Sequence, residues 1–299
     1  MYTVDDLIED IRIRGAIPNS QSLFTPARFV SLMTGEMQTL VVPQIMSVRE
    51  DYFLTYEDQP ITSSLLYDMP EDAIGSKLSN VYIVDSSGQE NVKMVLGENR
   101  IYSLGANQFY LQNNQVRIGE GNTSQTLRMY YYRRANNLVP NIQAGQVTTV
   151  NALTNTLVLS NVPTAWTTGT LVSVIKGRPG FEAKYESTAI VSVSSPTIGL
   201  ASVANIVVGD WIALTKQSPI PQLPVEAFPL LAQAVVVKCM EAMGDQNGMR
   251  SAEAKLQQIQ GDMFTMLNPR VDGSPRKITS RNGIFGFNTI TRNSFSRRY

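Results

Sequence analysis

The chain has 299 residues, 43% of them hydrophobic, which is enough for one large core or two modest ones. Its 25 Lys and Arg balance 25 Asp and Glu, which excludes a globally basic nucleic-acid binder and an acidic solvating protein as overall classes. Histidine is absent and Cys239 is the one cysteine, so the commonest general base, a Cys/His zinc site and an intrachain disulfide are excluded as well.

Such cysteine usage suits assembly in a reducing cytoplasm. The opening Met-Tyr-Thr-Val-Asp-Asp carries no basic or apolar leader region, and no apolar stretch approaches the ~20 residues of a membrane span. No membrane contact is expected. Cys239, inside the apolar run 234–240, reads as a small buried hydrophobe.

Residues 3–13 read as a short helix, with Thr3 as N-cap and Asp6 three positions on, a carboxylate form of the capping box. Val4, Leu7, Ile8 and Ile11 share one face, and Gly15 stops the helix. A second helix starts at Thr25-Pro26, with Phe29, Leu32, Met33, Met37, Leu40 and Val41 at helical spacing. Pro43 should end or kink it, with a continuation through Ile45 and Met46. This methionine-rich face suits either a subunit interface or packing on its own domain.

From 53 to 134 the period becomes two, as in an antiparallel β unit. Residues 81–84 and 92–95 flank Asp85-Ser86-Ser87-Gly88, and 109–111 and 115–118 flank Asn113-Asn114, giving two hairpins. Residues 127–134, rich in Tyr and Arg, form a closing strand. Residues 139–221 are different: Thr, Ser and Val dominate, charge is sparse, and 169–176 resembles 209–216 at a spacing of about 40 residues. Leu153-Thr154-Asn155 likewise precedes Val193-Ser194-Ser195 by 40. Two such copies would pair around a pseudo-dyad into a small barrel or sandwich, with chance similarity as the competing explanation.

Pro219, Pro221, Pro224 and Pro229 punctuate the exit from this module. A helix over 226–243, a turn at Gly244-Asp245-Gln246-Asn247-Gly248 and a helix over 251–267 complete the body, closed by Asn268-Pro269. The expected fold is therefore α+β: a four-helix body with antiparallel β elements, an inserted small β-barrel or sandwich module, and an extended C-terminal tail. The parts are 1–138, 139–221, 222–267 and 268–299.

The tail is the sharpest feature. Arg270, Arg276, Lys277, Arg281, Arg292, Arg297 and Arg298 face Asp272 alone, a net +6 that leaves −6 on the rest of the chain. It also carries Ile278, Ile284, Phe285, Phe287, Ile290 and Phe295, whereas disordered segments are usually poor in aromatics. Nucleic-acid contact by counterion release is one reading. Threading between neighbouring subunits is the other, with Ile284, Phe285, Phe287, Ile290 and Phe295 filling pockets and the basic residues meeting carboxylates, and the apolar positions favour it.

Catalytic candidates are thin. Asp5-Asp6, Glu9-Asp10 and Glu71-Asp72 are the acidic pairs, the first two expected on a solvated helix face. Gly119-Glu120-Gly121 follows a hairpin and precedes no helix, so it reads as a turn and not a phosphate loop. Tyr130-Tyr131-Tyr132 with Arg133-Arg134 suits nucleic-acid stacking less well than alternating faces, on which tyrosines pack and arginines contact a neighbour. No catalytic, cofactor or metal site is expected.

The order of helix pair, β region, helix pair and extended tail resembles the head-to-tail adaptor (head-completion, or neck) proteins of tailed bacteriophages. The segments that carry it are 65–75 (Leu-Leu-Tyr-Asp-Met-Pro-Glu-Asp-Ala-Ile-Gly) with 78–86, the strand 127–139, and 222–245, a Pro/Phe/Leu/Leu helix ending in Gly-Asp. The resemblance covers about 1–135 and 222–267 and is one of organisation. It implies a virion structural protein, assembled in the host cytoplasm as a dodecameric ring beneath the portal. It also implies a C-terminal tail reaching the portal, tail or neck proteins as further partners, and DNA passing through the lumen without sequence-specific binding. The usual adaptor is small and helical, so 139–221 departs from it. The competing reading is a receptor- or carbohydrate-binding β module on a helical oligomerisation base, which would want Trp166 and Trp211 exposed.

Overall fold

The computed structural model describes residues 3–97, 105, 107–119, 123–177 and 183–268. Helix α1 (Val4–Arg14) opens with the expected reciprocal cap: the Asp6 N–H donates to Thr3 Oγ1 at 3.3 Å and the Thr3 N–H to Asp6 Oδ2 at 2.8 Å. Its Val4, Leu7, Ile8 and Ile11 are buried. Helix α2 (Pro26–Glu36), capped by Thr25, passes through a π turn at Met37–Val41 directly into α3 (Val42–Val48). The π turn is the form the expected kink takes. Pro43 has no N–H to give Thr39 and its ring crowds that carbonyl, so the wider turn, in which the Val42 N–H donates to Met37 O, makes room for it. Met33 and Met37 are fully buried among the body's own side chains, which settles the methionine face as internal packing.

Helix α4 (Phe228–Met243) is apolar nearly all round and lies at the centre of the body, packed by α1, α2 and α5 (Gln246–Leu267). Gly244 ends it in the left-handed region at φ 75°. The last helix begins at Gln246, five residues before the expected start. Asp245 supplies the N-cap by accepting the Gly248 N–H at 2.9 Å, so Gly248 belongs to the first turn. A Cβ at 248 would lie 2.3 Å from that carboxylate, which explains a glycine where a break was expected.

The region read as one antiparallel unit forms two sheets over a shared core. Strands β1 (Leu54–Pro60), β8 (Thr126–Arg133), β3 (Ala73–Val84) and β4 (Glu90–Lys93) lie side by side in that order. The second sheet is β2 (Leu66–Asp68), β7 (Gln115–Ile118), β6 (Gln108–Gln112) and β5 (Val95–Leu96), with β5 and β6 parallel. Val81, Ile83, Leu127 and Met129 of the first meet Tyr67, Phe109, Val116 and Ile118 of the second. Both expected hairpins form. Asn113 and Asn114 take consecutive left-handed conformations at φ 50° and 61°, the turn that matches strand twist. The Asp85 carboxylate holds the other turn by accepting the Ser87 and Gln89 N–H groups at 2.8 and 3.0 Å.

The repeat region is a closed six-stranded barrel: β10 (Gly145–Asn151), β11 (Thr156–Leu159), β14 (Thr197–Leu200), β13 (Ala183–Ser194), β12 (Leu171–Ile175) and β15 (Trp211–Leu214). Exchanging β10, β11, β12 with β13, β14, β15 returns the same set of neighbours, so the pseudo-dyad is present. Each hairpin has an irregularity at the same place, between Val147 and Thr149 and between Ile190 and Ser192. Equivalent bonds recur: Gly169 N–H to Ile190 O and Gly209 N–H to Val147 O, both 2.8 Å, and Thr167 N–H to Thr170 Oγ1 and Val207 N–H to Asp210 Oδ2 at 3.0 and 2.9 Å. The 40-residue spacing holds for 169–176 against 209–216. It does not hold for Leu153–Asn155 against Val193–Ser195, because the second hairpin turn is two residues shorter; there Leu157 matches Ile198. The axis passes through two buried cross-strand pairs, Leu157 with Ile198 and Ser173 with Ala213.

Strands β9 (Asn137–Leu138) and β16 (Gln217–Ser218), leading into and out of the barrel, pair with each other in parallel. Buried polar groups surround this clasp. The Asn136 N–H donates to Gln222 Oε1 at 2.8 Å, Arg133 Nη2 to Asn136 Oδ1 at 3.3 Å, and Arg133 pairs with Asp72 at 3.0 Å. The Leu138 N–H donates to Thr34 Oγ1 at 3.2 Å, and the Val4 N–H to Pro219 O at 2.8 Å. Trp211, Ile175 and Ala213, on the outer wall of the barrel, pack on Ile220 and Ala144 beside the clasp.

Truncating Leu157 or Ile198 to Ala should cost about 2–5 kcal/mol each in urea denaturation, since either leaves a cavity in the barrel core. Leu153, 97% exposed on the first hairpin turn, should tolerate the same change to within about 0.5 kcal/mol.

Candidate interaction surface

The first sheet buries one face and shows the other to solvent. The strict alternation of β1, exposed at Leu54, Tyr56, Asp58 and Pro60, sets the outer face. The register puts Tyr56 beside Tyr130 and Asp58 beside Arg128, with Tyr82 beside Arg128 on the far side. The rings of Tyr56 and Tyr130 lie 5.5 Å apart, and those of Tyr82 and Tyr130 lie 5.7 Å apart. Arg128 grips Asp58 through two bonds of 2.8 Å, reaches Glu90 at 3.3 Å and lies 4.3 Å over the Tyr56 ring. Three tyrosines and one clamped arginine thus form a ladder of stiff amphipathic side chains, the composition that association surfaces favour. Asp58, then Glu90, holds the Arg128 guanidinium further above its ordinary value, and the hydrogen bond to Glu90, with partial burial, raises the Tyr130 phenol.

The Tyr/Arg run divides differently from expectation. Tyr130 faces out, Tyr131 is in the core, and Tyr132 is buried with the Lys77 ammonium 4.7 Å from its ring. Arg133 does not contact a neighbour: it is buried and paired with Asp72 in the same chain. The acidic pairs also have structural partners, with Asp6 in the helix cap, Asp10 on Arg14 at 2.8 Å, and Glu71 on Lys216. Among the described residues no three His, Cys, Asp or Glu side chains come together as a metal site. Trp166 fills the barrel interior and Trp211 its outer wall, at 4% and 6% exposure, so neither offers a sugar-stacking platform. No helix among the described residues is long and apolar enough to cross a membrane.

Every tail residue expected to meet a partner, from Arg270 to Arg298, lies outside the described residues, as do Glu120 and Gly121. The tyrosine ladder escaped sequence reasoning because β1 alternates polar with polar, Thr55 and Glu57 against Tyr56 and Asp58. Only the register with β8 reveals the face. Comparison with family models and with curated proteins finds no match.

Two measurements check these environments. Glu90→Gln should move the Tyr130 titration back down toward the ordinary tyrosine value, read as a lower apparent pKa in a phenol absorbance or NMR titration. Cys239, whose thiol burial pushes up to about 11, should resist aromatic disulfide reagents at pH 8 in the folded chain and react at once in denaturant.

Proposed function

We propose that the chain is a non-enzymatic structural protein of a phage virion. It forms a ring adaptor between portal and tail and docks through 268–299, with DNA passing through its lumen without sequence-specific contact. The observation that carries this reading is where the polar side chains are used. Buried Arg133, Asn136, Gln222, Gln233 and Asp210 each bind a different segment of the same chain, Arg133 through Asp72, while the charge imbalance and a set of solvent-averse side chains are displaced together into the tail. A body whose buried polarity joins its own parts, carrying a +6 tail with Phe285 and Phe287, suits assembly better than catalysis. The chain-order resemblance to neck proteins supplies the ring, its twelvefold count and the portal as partner.

Each buried Phe or Ile of the tail contributes roughly 1.5–3 kcal/mol against a partner, and ordering costs about 1–2 kcal/mol per backbone residue. Pockets alone do not hold such a tail, so strand pairing or a deep groove must add to them. Removing 269–299 should leave the melting temperature of the body within a few degrees of the parent and abolish attachment to the portal. Replacing Phe285 and Phe287 by Ala should weaken attachment at least about tenfold. Replacing Arg297 and Arg298 by Ala should weaken it less at physiological salt, where exposed charges are screened. A truncated chain that binds portal as tightly as the parent would show that the tail is not the docking element.

A further inference from the structure

Sheets expose their outermost strands to unwanted pairing, and short length, bulges, closure, edge charges and proline are the usual protections. The barrel is closed, β2 and β5 have three and two residues, and β4 has four with a register shift. Strand β1 is neither short nor bulged: it has seven residues in unbroken register with β8 and no other neighbour among the described residues, and its protection is Pro60 with the carboxylates of Glu57 and Asp58, which turn away an acidic strand and admit a basic one. The Ile61 N–H donates to Gln125 O at 3.0 Å, which fixes the phase of the ladder. Thr55, Glu57 and Gln59 therefore turn their peptide groups toward β8, and Leu54, Tyr56, Asp58 and Pro60 turn theirs outward. The Leu54 N–H is taken by Asp51 O, and Pro60 has none to offer, so proline stands where its missing donor costs β8 nothing. Tyr56 and Asp58 are left with outward N–H and C=O groups in line, beside the tyrosine ladder.

We infer that this edge receives residues 281–292 of a neighbouring copy as an added strand, an inference that rests on the reading of the chain as a ring-forming assembly protein. Charge selects the occupant. Pairing of β1 with β1 of a second copy, antiparallel about its middle, would set Glu57 against Glu57, an opposed like-charge pair. The segment 281–292 carries Arg281 and Arg292 at its ends and no acid, and it comes from a tail of +6 facing bodies of −6. In an extended strand its Phe285, Phe287 and Thr289 fall on one side, where aromatic cross-strand neighbours of Tyr56 are favoured. The thirteen residues from 268 to 281 span at most about 45 Å, on the order of the width of a body this size. The segment thus reaches an adjacent copy, and holding it there presents 293–299 to the portal, so that losing Phe285 and Phe287 weakens portal attachment through the loss of this strand.

The test uses the full-length chain, read by sedimentation and by amide hydrogen exchange over 54–60. Exchange at Tyr56 and Asp58 should slow at least tenfold on going from dilute monomer to assembly, while Thr55, Glu57 and Gln59 change little. Asp58→Pro, which removes one outward N–H, should weaken assembly at least tenfold relative to Asp58→Ala, which loses the same contact with Arg128 and keeps the backbone donor. Arg281→Glu with Arg292→Glu should weaken it similarly without altering the melting temperature, and stands as evidence even if the proline variant fails to fold. The inference is overturned by a chain that stays monomeric, by equal exchange in monomer and assembly, or by protection already complete in the monomer. Assembly indifferent to the arginine changes overturns it too, and points to β1 pairing with itself. Portal attachment is measured separately: its loss with β1 still protected counts against the docking role alone, and its survival with β1 unprotected counts against strand addition alone.

Discussion

The architecture hangs on the parallel pairing of β9 with β16 and the buried polar groups around it. Helices, sheets and barrel have separate apolar cores, and apolar burial alone would let them settle against one another in many ways. The clasp removes that freedom, because hydrogen bonds and a buried ion pair are satisfied in one arrangement only. Arg133 reaches Asp72 before β3 and Asn136 before β9, and Asn136 reaches Gln222 before α4 and donates to Gln217 O where the chain leaves the barrel, so one chain of contacts ties all three parts. Breaking such a buried set by losing one member costs more than the set contributes over an apolar substitute, which makes it a device of specificity.

The legible parts of the fold were those decided within a few residues. The Thr3 and Thr25 caps, the Asp85 and Asn113-Asn114 turns and the stop at Gly244 are local chemistry, and each is where the sequence pattern puts it. What was decided across the chain was not legible. The division of 53–134 into two sheets depends on which strand pairs with which, and β1 gives no apolar alternation to announce itself. The start of α5 was misplaced because Gly248 looks like a break until the Asp245 carboxylate is placed beside it. The repeat was visible from Gly169 and Gly209 onward, where spacing is kept, and blurred ahead of them, where the hairpin turns differ in length.

The same distinction governs the candidate surface. Tyr130, Tyr131 and Tyr132 follow one another in sequence yet take three different environments, so a run of aromatic and basic residues says little until a sheet assigns its sides. The body then shows two features that its own fold does not consume, a tyrosine ladder across β1, β8 and β3 and the long unbulged edge of β1, and they meet at Tyr56.

The clasp has a further consequence, in mechanics. The chain leaves β9 at its C-terminal end, runs through the barrel and returns to β16 at its N-terminal end, and the two strands are parallel. The barrel is thus one long crossover between neighbouring strands. Tension between the chain before β9 and the chain after β16 draws the pair from opposite ends, along their length, so the bonds across the clasp share the load at once instead of opening one after another. Tension that would peel a hairpin apart meets, at this joint, the stiffer response of shear.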